Sequence, residues 1–311
     1  MKKRVTRSRK KSLNVKLARI SILITSIVIS IIIITTLIEK KFYIEEEGVN
    51  ASVTENNINN LEDINEEVDD INGNKYLQLQ EDTIADDVAF LEKYISQQKQ
   101  GIMPDGANGK KVAYLTFDDG PSETVTPLIL DILKEYNIKG TFFILGKEVD
   151  KNDKTKEILK RTVEEGHAIG NHTYGHNYNY LYPNGTVDVN NFMSDIEKTN
   201  ESLKNILGND FFTRAIRFPG GHDSWKGLKA IDDIISDKDY HQVDWNALSK
   251  DSEGNSKTAS ELVNEVIKTV KGREKAVILM HDNYGKEETA KALPTIIEYL
   301  KSEGYEFRTM K

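Results

Sequence analysis

The sequence predicts an α/β fold with a parallel sheet, preceded by a transmembrane helix and an acidic tether. Three observations predict it. Strand-like and helix-like segments alternate with a period near thirty residues from about residue 110 onward, residues 20–38 carry no charge, and residues 45–100 hold fifteen Asp/Glu against three Lys. The net charge of −8 over 311 residues conceals this regional polarity.

Taken in order, residues 1–19 hold nine Lys/Arg and no acid, and residues 20–38 are mostly Ile with a few Ser and Thr. About 20 apolar residues cross the hydrocarbon of a bilayer, and basic residues stay on the cytoplasmic side. The expectation is a single-pass helix at 20–38 with a cytoplasmic tail at 1–19 and everything after Glu39 outside the cell. A cleaved signal peptide would end in a small-residue site, and Thr35-Thr36-Leu37-Ile38-Glu39-Lys40-Lys41 offers none. Residues 39–81 are acidic and Asn-rich, as in Asn56-Asn57-Ile58-Asn59-Asn60, and predict a flexible tether. Residues 82–107 predict an amphipathic helix and a connection, because Ile84, Val88, Leu91 and Ile95 recur at three- and four-residue spacing within 82–99. That face is expected to pack on the following domain, at 108–311.

Within the domain, residues 111–116, 141–145, 167–171, 213–218, 240–245, 275–280 and 305–309 read as strands. Amphipathic stretches near 124–136, 153–165, 187–207, 225–236, 258–271 and 287–302 read as helices, and Glu164-Glu165-Gly166 places a glycine just past one helix end. Alternation of this kind implies a parallel sheet with crossover helices, either doubly wound or closed as a barrel. The chain has no cysteine, which excludes disulfides and thiolate metal sites. Any metal must be held by His, Asp or Glu.

The polar clusters fall just after strand ends, the edge where parallel α/β folds build their sites. Asp118-Asp119 follows the first strand, His172 and His176 the third, Arg217 ends the fourth, and His281 follows the sixth. On a helical turn the i, i+4 pair His172/His176 would share one face and reach one ion. A carboxylate with two imidazoles leaves a position open for water, whose pKa such an ion lowers to about 7. Adjacent carboxylates should divide their roles. Asp119 on the cation and Asp118 paired with Arg217 would leave Asp118 as general base and His281 as acid. His167, between Gly166 and Gly170, reads as a hydrogen-bonded core or edge residue, and the spacing assigns no role to His222 or His241.

Thr116-Phe117-Asp118-Asp119-Gly120-Pro121, His172-Thr173-Tyr174-Gly175-His176, Arg217-Phe218-Pro219-Gly220 and Leu279-Met280-His281-Asp282 stand in the order that resembles the polysaccharide deacetylase family, carbohydrate esterase family 4. The resemblance covers roughly residues 108–311 and implies an irregular (β/α)7 barrel. It implies Asp118 as base, His281 as acid and Arg217 as the group that orients the base. Asp119, His172 and His176 would bind a divalent ion, usually Zn2+, although such a ligand set also accepts Co2+, Ni2+, Mn2+ or Fe2+. Leu279 would line the acetyl pocket, Pro219 and Gly220 the loop whose N–H holds the oxyanion, and Trp245 the groove. The sequence departs from the family where an Asp tunes the catalytic His: Leu248 stands there, and Asp251 or Asp244 would substitute, with Asp251 preferred.

The expected function is removal of N-acetyl groups from cell-wall polysaccharide, first of all N-acetylglucosamine of peptidoglycan, by a domain anchored to the cytoplasmic membrane. Other acetylated glycans, including muramic acid, chitin-like polymers and O-acetylated xylan, fit the same chemistry. An inactive wall-binding module is disfavoured by the intact base, ligands and acid. No glycine-rich phosphate loop is present, and 28 Lys/Arg against 34 Asp/Glu over residues 101–311 disfavour nucleic acid as a partner.

Overall fold

The computed structural model describes residues 76–311. The basic tail, the apolar segment 20–38 and the tether up to residue 75 lie outside the described residues. Among those described, no helix is long and apolar enough to cross a membrane.

The strands are β1 (Ala85–Asp86), β2 (Val112–Asp118), β3 (Thr141–Ile144), β4 (Ala168–Asn171), β5 (Ala215–Ile216), β6 (His241–Gln242), β7 (Ala247–Leu248), β8 (Lys275–His281), β9 (Glu306–Phe307) and β10 (Thr309–Met310). The helices are α1 (Val88–Lys99), α2 (Thr126–Glu135), α3 (Gly146–Val149), α4 (Asp153–Glu164), α5 (Tyr178–Leu181), α6 (Val189–Leu207), α7 (Leu228–Asp237), α8 (Ala259–Val270) and α9 (Glu287–Ser302). The main sheet runs β6-β5-β4-β3-β2-β8-β7, with β9 also beside β2, and its pairings are parallel. Only residues 243–246 separate the edge strands β6 and β7. Val243 N–H donates to Ile216 O on one side of this seam, and Asn246 N–H donates to Val277 O on the other. Four residues cannot span a flat seven-strand sheet, so the sheet curls into a half-barrel whose unpaired edges are bridged by residues 243–246.

Side-chain alternation decides what faces inward. Ala113, Leu115 and Phe117 of β2 point out, into the cluster formed with Ile129 and Leu133 of α2 and Leu293 and Ile297 of α9. Val112 and Tyr114 point in, toward Phe143, Ala215, Val243 and Val277. Thr116 and Asp118 therefore face the interior as well. On β8 the same rule sends Ala276, Ile278 and Met280 outward and leaves Leu279 and His281 inward with Val277. Both faces are covered, so β2 is buried throughout and reads as a continuous run rather than an alternation.

Helix ends follow local chemistry. Asn152 and Thr155 form a reciprocal capping box on α4, and Thr258 and Glu261 form one on α8. The α4 C-terminus closes as a Schellman motif, with Gly166 N–H on Val163 O, His167 N–H on Thr162 O, and Gly166 at φ 82° where a Cβ would be strained.

Three expectations are corrected. The helix expected over 82–99 begins only at Val88, because Asp87 caps it by accepting from Ala89 N–H. Ile84 consequently lies outside the helix and is exposed, while Ala85–Asp86 pairs with Thr309–Met310. The strand expected at 240–245 is only His241–Gln242, and the chain crosses the seam to a further strand, Ala247–Leu248. The tether expected to reach residue 81 gives way to packed structure by Tyr76. Tyr76 is buried edge-on against Phe211, at 4.9 Å between ring centroids.

Residues 76–87 wrap the end of the sheet where its strands begin. Lys311 Nζ, 6 % exposed, pairs with the equally buried Asp82 at 2.7 Å and donates to Leu77 O. Lys311 O accepts from Val88 N–H. The inward face of α1 packs Val88, Leu91 and Ile95 on the concave face of the sheet, each stabilising by about 1.5–3 kcal/mol relative to exposure.

Candidate active site

The site lies at the opposite end, where β2, β4, β5 and β8 finish. Asp118 and His281 are register partners across the β2–β8 ladder, as are Thr116 and Leu279 two residues earlier. Two inward-facing partners in a parallel pair are neighbours, so the sheet itself brings the carboxylate and the imidazole together.

Arg217, just beyond β5, is fully buried. Its Nη1 donates to Asp118 Oδ1 at 2.7 Å and to Thr116 Oγ1 at 2.8 Å, and its Nε donates to Val243 O at 2.9 Å. The guanidinium also stacks on Phe143 at 3.9 Å and faces Trp245 at 5.8 Å. Three anchors fix its orientation, and with it that of Asp118. Burial pushes the Asp118 carboxyl upward, while Arg217, His281 and His176 pull it down; burial prevails and the net direction is up.

The ligand atoms offered by Asp119, His172 and His176 all lie within 4.8 Å of one another. His172 Nε2 and His176 Nε2 are each 3.6 Å from Asp119 Oδ1. His172 Nδ1 is 2.8 Å from Arg217 O, and a carbonyl can only accept, so Nδ1 carries the proton and the Nε2 lone pair faces Asp119. Burial, then His176, holds His172 down to about 3, which keeps it neutral and able to ligate. Asp119 Oδ1 is buried without a hydrogen-bond partner among the described residues. An orphaned buried carboxylate oxygen facing two imidazole nitrogens is what a cation would satisfy, and the donor set fits a divalent ion.

His172 and His176 are not on a helical turn. They lie in a loop after β4 in which Thr173 (φ 68°) and His176 (φ 51°) adopt left-handed backbone, as does Asp119 (φ 75°). Such residues cost on the order of 1–3 kcal/mol each and concentrate at functional sites. The loop is held by Asp195 of α6, whose Oδ2 accepts from Tyr174 and Gly175 N–H, and by Asn171 Oδ1, which accepts from Thr173 N–H. The rings still meet, at 5.1 Å between centroids.

His281 Nδ1–H donates to Asp251 Oδ1 at 2.7 Å, and its backbone N–H donates to Asp251 Oδ2. Thr289 of α9 donates to the same Oδ2. Burial opposes protonation of His281, but the hydrogen bond to and charge of Asp251, aided by Asp118 and Asp119, overcome it and raise His281 to about 9. Asp244 has another partner: its Oδ2 meets Lys99 Nζ at 2.7 Å. Asp251, not Asp244, therefore sits where it can tune His281.

Of the expected groove residues, Leu279 faces inward beside Thr116 and is 7 % exposed. Pro219 O accepts from Trp225 Nε1, and Gly220 lies against the rings of Trp225 and Tyr178. Trp245 packs by Gly221 and Arg217. A cavity of about 240 Å³, lined by Asp119, His176, Leu145, Lys147, Asn283 and Tyr284, opens onto the ligand set. A larger cleft of about 870 Å³ lies beside α1 and α7, lined by Glu92, His222, Asp232 and His241, and holds none of the ligand set. His167 is buried and its Nδ1 accepts from Gly140 N–H, a structural role.

The sequence assigns no role to Thr116, Thr289, Asp195 or Tyr178. Thr116 carried a usable signal, being two residues before Asp118 and so on the same strand face. Asp195 carried another, as an acid between Phe192 and Ile196 on the buried face of α6.

Hydrolysis of an unactivated acyl bond on a divalent ion needs ligands that leave a position open, and separate carriers for the two protons. The cluster Asp119, His172 and His176 fits such a ligand set, and Asp118 and His281 beside it are candidates for the two carriers, an arrangement that fits the class of metal-dependent hydrolases. Residues 105–237 match the family described as polysaccharide deacetylase. Two Bacillus cereus proteins, each named a peptidoglycan-N-acetylglucosamine deacetylase, are similar to this chain. One is 34% identical over 73% of this chain and 76% of its own length, and the other 31% identical over 65% and 88%. The solved structure of a Streptococcus mutans CE4 esterase is 34% identical and superposes with a TM-score of 0.68, covering 76% of this chain and 97% of the other. The chain belongs to the polysaccharide deacetylase family, and is accordingly a deacetylating hydrolase of a metal-dependent kind.

Proposed function

We propose that this deacetylase removes the acetyl group from N-acetylglucosamine residues of peptidoglycan on the outer face of the cytoplasmic membrane, with Zn2+ as its ion. The observation that carries the chemistry is the pairing of Asp118 with His281 across β2 and β8, beside the cluster Asp119, His172 and His176. The sugar is supported by the two Bacillus cereus relatives and the location by the charge pattern of residues 1–38. We read the curled sheet as the family's irregular (β/α)7 barrel, closed through residues 243–246.

Asp119, His172 and His176 would hold a divalent ion, which when bound would polarise the acetyl carbonyl and lower the pKa of water. Asp118, oriented by Arg217, takes the proton from the attacking water as the new C–O bond forms. His281, with Nδ1 committed to Asp251, presents Nε2 and gives its proton to the amide nitrogen as the C–N bond breaks. Acetate and a free amine leave. Gly220 N–H offers a donor for the oxyanion, Pro219 shapes that loop, Leu279 bounds the methyl group and Trp245 walls the groove.

The assignment of His281 predicts a dependence on the leaving group. His281→Ala should cost about 10²–10⁴ in kcat/KM on an N-acetyl sugar, and much less on an aryl acetate, whose phenolate departs without a proton. Wild-type amide hydrolysis should also decline on the alkaline side as His281, whose proton Asp251 holds above the ordinary imidazole range, loses it. Equal losses on both substrates would remove His281 from the acid role.

The substrate is tested by mass spectrometry of muropeptides from walls treated with full-length protein. Loss of the mass difference between an acetamido and an amino group, assigned to glucosamine, is the expected result. Loss assigned to muramic acid alone, or no loss while a chitin oligomer is deacetylated, would overturn the peptidoglycan N-acetylglucosamine assignment.

A further inference from the structure

The half-barrel is unpaired between β6 and β7, yet the residues of this seam meet the site from three sides. Val243 O accepts from Arg217 Nε and so helps aim the guanidinium at Asp118. Asp244 Oδ1 accepts from His222 N–H, just past the Pro219-Gly220-Gly221 turn. The Trp245 ring faces Arg217 and closes on Gly221, where even a Cβ would come within 3.1 Å. A segment held by sheet ladders would need no further support. This one leaves the ladder after Val243 and rejoins it only at Asn246.

The support comes from α1, which precedes the family-matched residues 105–237. Along α1, Glu92 meets His241 Nδ1 at 2.7 Å, Gln98 Oε1 accepts from Asn246 Nδ2 at 2.8 Å, and Lys99 reaches Asp244 Oδ2 at 2.7 Å and Asp223 Oδ2 at 2.6 Å. The helix therefore crosses the seam from β6 to β7. The Asp244 side chain is only 8 % exposed, while Lys99 is 39 % exposed and Asp223 62 %. Lys99 is the cation that compensates a nearly buried carboxylate, and without it Asp244 has strong reason to turn toward water. Turning would pull on His222 N–H and on the Trp245 backbone, on both sides of Arg217.

We propose that Lys99 is a positioning residue for catalysis, which fixes the 243–245 seam through Asp244 and thereby the Arg217 guanidinium and the Gly220–Gly221 turn. The inference rests on the deacetylase reading and assigns a catalytic consequence to a helix outside the family-matched region.

The test uses full-length Lys99→Met, Lys99→Arg, Asp244→Asn and the double variant Lys99→Met/Asp244→Asn, with kcat, KM, bound metal and Tm measured on each. Methionine keeps much of the apolar stem and removes the charge. Lys99→Met should lower kcat by about 10- to 100-fold, as misplacing reacting groups by about 1 Å can do, with bound metal unchanged. Lys99→Arg should recover most of kcat. The double variant should be more active than Lys99→Met, because the uncompensated carboxylate is gone. Wild-type kcat in Lys99→Met would overturn the proposal. So would a loss that Lys99→Arg does not rescue and that tracks Tm across the set, since that pattern marks structural support alone. Absence of deacetylation by the wild-type protein on every acetylated glycan would instead contradict the deacetylase reading.

Discussion

Full-length protein carrying His172→Ala or His176→Ala should lose both its bound divalent ion and its deacetylase activity. Each replacement removes one of three donors whose ligand atoms lie within 4.8 Å, and Asp119 with a single imidazole is a poor site for a transition metal. The wild-type protein should contain about one ion per chain by elemental analysis, as the single such cluster among the described residues implies. Adding metal to stripped wild-type protein should raise Tm, because binding to the native state alone stabilises by about 2.7 kcal/mol at one hundred times Kd. Neither variant should show this rise. The pH dependence has a definite sign: His172 is held below its unfolded value, so its contribution to stability is present above about 6.5 and fades as pH falls toward 3. Metal affinity should weaken in the same direction, since a protonated imidazole cannot ligate. A His172→Ala protein that retains stoichiometric ion and full activity would show that these residues are not the ligand set.

Asp118→Asn should have the opposite signature, with metal retained and rate lost. The carboxylate that binds and the carboxylate that accepts a proton are separate side chains, and Asp119 keeps its two imidazole neighbours in the variant. Loss of the base should lower kcat by about 10²–10⁴. The substitution also leaves Arg217 in a fully buried position opposite a neutral amide, where breaking such a pair can cost about 3–5 kcal/mol. Tm must therefore be recorded with kcat, so that inactivity is read only from folded, metal-loaded protein. On the acidic side, wild-type activity should rise with pH as the coupled site loses its proton, and the Asn variant should be low throughout. Retention of wild-type kcat would exclude Asp118 as the base.

Much of this site was legible because strand periodicity and strand-end polarity are local. The segment ending at Asp118 and the one ending at His281 could each be read from a few residues, and their shared edge follows from parallel pairing. What joined them could not be read. Asp251, preferred over Asp244 in the sequence, reaches His281 across thirty residues with help from Thr289 on a third element, a contact that no spacing rule supplies. The His172–His176 spacing suggested a helical turn, but Asn171 and Asp195 stabilise a loop with left-handed backbone instead. β1 and β7 have two residues each, too few to display alternation. Tyr76 and Asp82 were hidden in an acidic, polar stretch, because what orders them is the distant C-terminal residue Lys311 and the ring of Phe211. The seam and α1 belong to the same class of long-range organisation, in which an apolar helix face is visible but the charges it delivers to the site are not.

Deacetylation is expected to require a divalent ion on Asp119, His172 and His176. The most direct test is acetate release from an N-acetylglucosamine oligomer by full-length protein after chelation and again after addition of Zn2+. Loss of release on chelation and its recovery on addition of the ion are predicted. Undiminished acetate release from protein shown by elemental analysis to be metal-free would contradict the account.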